Sequence, residues 1–171
     1  MANENIWYQI GRAVRGVVVS ATKNRKSSGA QKSPEGRKPR STTTRDITAA
    51  ELRAVRLDYA PHPDGDPDPG EVVWTWVPYV ENDGRGKDRP VLIIGRLDAE
   101  TVVGCYLSTK EHHGFIPLGT GGWDPQGRES YLSPERLLRV THDGMRREGV
   151  QIDRMRFDRA VSGVLAYHGP Q

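Results

Sequence analysis

Few residues in this 171-residue chain have both the type and the setting for chemistry, and Arg89 is foremost among them. In GEVVWTWVPYVENDGRGKDRPVLIIGR, Gly70 to Arg96, two apolar stretches flank a polar, glycine-studded turn, and Arg89-Pro90 stands where the second stretch begins. A guanidinium offers a planar fork of donors that matches a phosphate and keeps its charge at every working pH. Arg85 and Lys87, in the turn, either reach phosphates too or simply solvate the loop. Further on, Ser108, Thr109, Lys110 and the pair His112-His113 place hydroxyls, a cation and imidazoles within six residues. A histidine titrating near neutrality is suited to proton transfer. Neighbouring residues of an extended chain point oppositely, which argues against a metal shared by His112 and His113. An arginine at a strand start is most often solvated or ion-paired, so spacing alone leaves that reading standing beside phosphate chemistry.

The elements that must position these residues are short strands. Val72 to Val77 reads as one strand, with Trp74 and Trp76 on the same face, where core packing is the default and base stacking the sharper alternative. Pro90 opens the next, Val91 to Ile94, apolar on both faces as in a central strand. Thr101 to Ser108 makes a third and Gly114 to Leu118 a fourth, followed by a loop over Gly119 to Gly127 around Trp123. Tyr131-Leu132 and Leu137 to Thr141 read as two further extended pieces, with a turn at Asp143-Gly144. The period then changes. Ile152, Met155, Phe157, Val161, Val164 and Leu165 fit one helical face, with Asp153 as N-cap, an Ile152–Phe157 staple and Gly169-Pro170 as the stop. Several strands closed by one helix predict a small, mainly antiparallel barrel.

Before the barrel the composition differs. Residues 1–45 hold ten Lys or Arg against two Glu, a net +8, so the remainder carries −5 of the overall +3. Trp7, Ile10, Val14, Val17 and Ala21 predict a short amphipathic helix within residues 1–21. Residues 22–69 read as a linker, basic and then Pro-rich and acidic, with a short helix after the capping-box spacing Thr48 to Glu51. The folded unit is expected from about Gly70. A basic arm suits nucleic acid or an acidic surface, and a solvated tether is the plainer reading. The single cysteine, Cys105, excludes an internal disulfide, and no cofactor or metal is expected. No apolar run reaches the roughly 20 residues of a membrane span, and no signal peptide is legible, so a cytoplasmic location is expected.

Gly70-Glu71-Val72-Val73-Trp74, the polar loop and Arg89-Pro90 resemble the start of the MazF/PemK family of type II toxin–antitoxin toxins. Cys105-Tyr106-Leu107-Ser108-Thr109, Leu137-Leu138-Arg139-Val140 and the segment Asp153 to Tyr167 follow in the family's order, so the resemblance spans about residues 70–167. It implies an SH3-like barrel, homodimeric, that cleaves single-stranded RNA without a metal and is neutralised by a cognate antitoxin. By the same resemblance Arg89 and Thr109 are the catalytic positions; the polar and basic residues near them in the chain, Arg85, Lys87, Ser108, Lys110 and His112, are expected as RNA contacts. The acidic run Asp64 to Glu71 and the basic arm depart from the pattern. A related barrel that binds DNA gyrase makes a non-catalytic barrel, binding a protein or nucleic acid, the alternative.

Overall fold

The computed structural model of this chain describes residues 44–145 and 149–169. The helix expected in residues 1–21 and the first part of the expected linker, residues 22–43, lie outside them. The described residues fall into two compact units: the loop 78–87, and the rest, from 44–77 and 88–169.

The larger unit is an open, curled antiparallel sheet with a C-terminal helix, the half-barrel form of the small barrel expected. Its strands are β1 (Arg45–Asp46), β2 (Arg56–Leu57), β3 (Glu71–Pro78), β4 (Gly86–Asp98), β5 (Thr101–Ser108), β6 (Ile116–Gly119), β7 (Ser130–Thr141) and β8 (Val150–Gln151), with helices α1 (Ala49–Ala54) and α2 (Arg154–His168). The main path runs β1-β7-β5-β4-β3-β8, with β2 added to β4 and β6 to β7.

Alternation explains how the strands bury two faces. Leu92, Ile94, Val103, Cys105, Leu107 and Leu132 form one core with Ile152, Phe157 and Val164. The intervening Val91, Ile93, Val102, Tyr106, Leu138 and Val140 are buried as well. Strands apolar on both faces belong in the middle of a sheet, which is where β4 and β5 lie. Asp153 caps α2 by accepting the N–H of Arg156 at 2.9 Å, and both members of the Ile152–Phe157 staple are buried. Met155, expected on the packed face, is 72% exposed. At about 100° per residue it lies on the side of the helix away from the buried Phe157, Ala160 and Val164.

Four boundaries differ from expectation. The ordered chain begins well before Gly70. β1 pairs with β7 and β2 with β4, and the capping box of Thr48 and Glu51 starts α1 between them. Strands of two residues carry no alternation to read, so only their partners reveal them. β4 starts at Gly86, so Pro90 lies inside it. The β4–β5 register begins only at Val91, and on that side the missing N–H of Pro90 interrupts no pair. β6 sits slightly later than expected, at Ile116–Gly119. Finally, Tyr131-Leu132 and Leu137–Thr141 are one strand. Leu107 pairs with Leu132 and Cys105 with Leu137, so Ser133-Pro134-Glu135-Arg136 bulges opposite Tyr106 alone.

Trp74 and Trp76 are half-buried, whereas Val73, Thr75 and Val77, which alternate with them, are buried. Trp123 is the large buried indole, its Nε1–H donating to Ser130 Oγ at 2.9 Å. In the loop unit the Tyr79 N–H bonds the Arg85 carbonyl at 3.0 Å, and Asn82 turns the chain with φ 46°. No helix among the described residues is long and apolar enough to cross a membrane.

Candidate nucleic-acid site

Arg89 projects from the half-buried start of β4, and its guanidinium carbon lies 4.8 Å from the centroid of the Tyr106 ring. The register explains the contact. Val91 pairs with Tyr106, so Arg89 is the diagonal neighbour of Tyr106, within reach of a long side chain. Counting two residues on from that pair brings Arg89 level with Ser108. Ser108 shares the face of Tyr106 by strand alternation, whereas Thr109 lies beyond the end of β5 and is exposed. The Ser108 hydroxyl accepts the N–H of Lys110 at 3.0 Å, which turns the chain out of the strand.

Aromatic contacts carry the arrangement onward. Phe115 meets Tyr106 edge-on, with centroids 6.3 Å apart, and His112 packs against Phe115 at 4.9 Å. Burial first, then the charges of Lys110 and Arg89, push the His112 imidazole below its usual pKa. This places all three groups in one electropositive neighbourhood. Burial drives the Tyr106 phenol up to about 12, with the Ser133 hydroxyl and the charges of Arg89 and Arg136 pulling the other way. Ser133 and Arg136 both belong to the β7 bulge, which forms the wall beside Tyr106. Arg136, 9% exposed, donates to both carboxylate oxygens of Asp46 at 2.5 and 3.0 Å, which ties the wall to β1.

The structure therefore groups Arg89, Ser108, Lys110 and His112 at one end of β4 and β5, with Thr109 at the rim. Arg85 and Lys87 belong to the loop unit. There Arg85 is exposed and ion-paired to Asp83, donating from Nε at 2.7 Å. Lys87 is exposed in the first turns of β4. Tyr106, Phe115 and Arg136 were not legible as site residues. Tyr106 stood within the quoted Cys105 to Thr109 stretch, and its parity with Ser108 was the signal, but the Arg89 contact needed the register. Cys105, one position away, faces the core, and burial raises its thiol pKa, which leaves it a packing residue. Among the described residues no group of three or more His, Cys, Asp or Glu is arranged to hold a metal.

A cationic fork backed by an aromatic ring, a strand-end hydroxyl and an imidazole stand together at the end of a curled antiparallel sheet, and these groups are the candidate site of a small β-fold protein. The sequence model of the PemK-like, MazF-like toxins of type II toxin–antitoxin systems matches residues 68–166. The chain belongs to that family. No curated protein sequence matches it. Solved structures similar to it include an endoribonuclease in complex with its cognate antitoxin from a mycobacterial species. That protein is 15% identical, with 61% of this chain and 97% of that one covered, at a TM-score of 0.48. A second is MazE-MazF from Deinococcus radiodurans, 13% identical, with 63% of this chain and 100% of that one covered, also at 0.48.

Proposed function

We propose that this chain is a toxin that cuts single-stranded RNA by attack of the ribose 2′-hydroxyl on the adjacent phosphate, without a metal, and that a cognate antitoxin neutralises it. The observation that carries the reading is Arg89, held over Tyr106 at the strand end level with Ser108. The reaction forms a bond from O2′ to phosphorus and breaks the bond from phosphorus to O5′. It needs charge stabilisation on the phosphoryl oxygens, an acceptor for the 2′ proton and a donor for the leaving oxygen. In this reading Arg89 supplies the first. Ser108 or Thr109 adds a hydrogen bond to the same phosphate. His112, which burial and the charges of Lys110 and Arg89 push toward its neutral form, is the proposed acceptor of the 2′ proton. Lys110, Lys87 and Arg85 are the proposed contacts along the RNA backbone, with the charge of Arg85 partly answered by Asp83.

Purified protein should cleave single-stranded RNA in EDTA, and Arg89→Ala should slow cleavage by roughly 10²–10³-fold, the usual loss for such an electrostatic group. Equal rates for the two proteins would end the reading. Growth arrest by a wild type that cuts no RNA would point instead to the non-catalytic binding alternative. The family's homodimer is part of the proposal, and sedimentation at roughly tens of micromolar tests it, a stable monomer counting against it.

A further inference from the structure

The contact between Arg89 and Tyr106 goes beyond two residues that happen to touch. Tyr106 is 1% exposed, so its ring is fixed, and Phe115 braces its edge at an interplanar angle of 75°. Room for so large a side chain at this point is built into the backbone. Opposite Tyr106, β7 spends four residues, Ser133 to Arg136, where a regular ladder would spend one. Two residues before it stands Gly104, where a Cβ would come within 2.5 Å of the Leu92 carbonyl oxygen, so β4 and β5 approach closely there. The strand pair, the bulge and Phe115 together present one ring face to the arginine.

We propose that Tyr106 is a positioning residue for Arg89, its ring face setting the plane and direction of the guanidinium that meets the phosphate. An arginine side chain has roughly 2 kcal/mol of rotamer freedom to lose. A cation over an aromatic face is held electrostatically, and the hold strengthens as water is excluded. Stacking uses the face of the guanidinium, whereas its N–H donors lie in the plane, so the ring can orient the fork without occupying the edge that recognises phosphate. Burial keeps the phenol neutral. The ring is therefore a constant support, not a titrating partner.

The catalytic consequence rests on the RNA-cleavage reading, and the positioning itself does not. Two measurements keep them apart. The first is the side-chain Nε–Hε NMR signal of Arg89 in the wild type, assigned by its loss in Arg89→Lys. It should be shifted upfield by the ring current and keep that shift in Tyr106→Phe. An unshifted Arg89 signal in the wild type overturns the proposal, whether or not the protein cuts RNA. The second is turnover. Tyr106→Phe, which keeps the ring, should match the wild type, while Tyr106→Leu should lose roughly 3- to 30-fold, mainly in kcat. Wild-type kcat in folded Tyr106→Leu overturns the proposal, and so does Tyr106→Phe falling as far as Tyr106→Leu, which would place the effect in the hydroxyl. Should Tyr106→Leu not fold, the wild-type and Tyr106→Phe signals decide alone. A wild type that cuts no RNA but shows the shifted signal sinks the cleavage reading and upholds the positioning.

Discussion

At the scale of single residues, the question left by the sequence was which hydroxyl accompanies Arg89. Ser108 and Thr109 are adjacent, and a slip of one residue along a strand exchanges its faces. Continued past its last pair, Val91–Tyr106, the β4–β5 register sets Ser108 level with Arg89 and on the Tyr106 face, with Thr109 past the strand end. The hydroxyl of Ser108 is therefore expected to be the phosphate ligand. A hydrogen bond to a charged group is worth about 1.5–3 kcal/mol, so Ser108→Ala should cost roughly ten- to a hundredfold in cleavage rate. Thr109→Ala should stay within a few-fold of the wild type. Parallel single-turnover assays of the two variants check this, and the reverse ranking would return the role to Thr109.

At the scale of elements, α1 and β1 are held by tertiary contacts, charged ones among them, and not by propensity, since a helix of six residues is marginal alone. Arg45 donates to both oxygens of Glu51 at 2.9 and 2.6 Å, and Glu51 also accepts the Thr48 N–H at 2.9 Å. Arg45 first, and then that backbone bond, hold the Glu51 carboxyl down to about 2 against an ordinary 4.5. A carboxylate with a depressed folded-state pKa stabilises fully above its unfolded value and loses that contribution as pH falls through the folded one. Glu51→Gln keeps a capping-box residue and removes the charge. Its Tm should lie below that of the wild type at neutral pH, and the gap should close between about pH 4.5 and 2. Asp124, held to about 2 by Arg128, titrates in the same window in both proteins and cancels in the difference. A gap that persists at pH 2 would show that the Glu51 charge is not what anchors the element.

For the molecule as a whole, the segment before the family match is part of the folded body. Ile47, Leu52, Val55, Leu57 and Tyr59 pack against the core, the Tyr59 hydroxyl donates to the Ile152 carbonyl at 2.8 Å, and Thr44 and Thr75 share a buried hydroxyl contact at 2.7 Å. A chain beginning at Gly70 should be less stable than one beginning at Thr44 by several kcal/mol, on the order expected for uncovering a few partly buried side chains. Urea unfolding of the two chains measures the difference, and equal midpoints and slopes would mean that this segment only decorates the sheet. The strands β3 and β5, the cap and staple of α2 and the position of Arg89 beside an apolar strand were legible from the chain alone. Each is encoded locally, in alternation over eight residues, in Asp153 three positions before Arg156, or in an arginine at the edge of an apolar run. What the chain could not disclose was pairing between distant segments. Arg45-Asp46 and Arg56-Leu57 are strands only because β7 and β4 offer them partners. The four-residue bulge exists only as a mismatch between β5 and β7, and Tyr106 becomes the seat of Arg89 only once the β4 register is set. Local sequence determined the longer elements such as β3, β5 and α2, because period and capping act within a few residues. Tertiary structure alone decided which side chains meet, because register is a property of two strands and is written in neither.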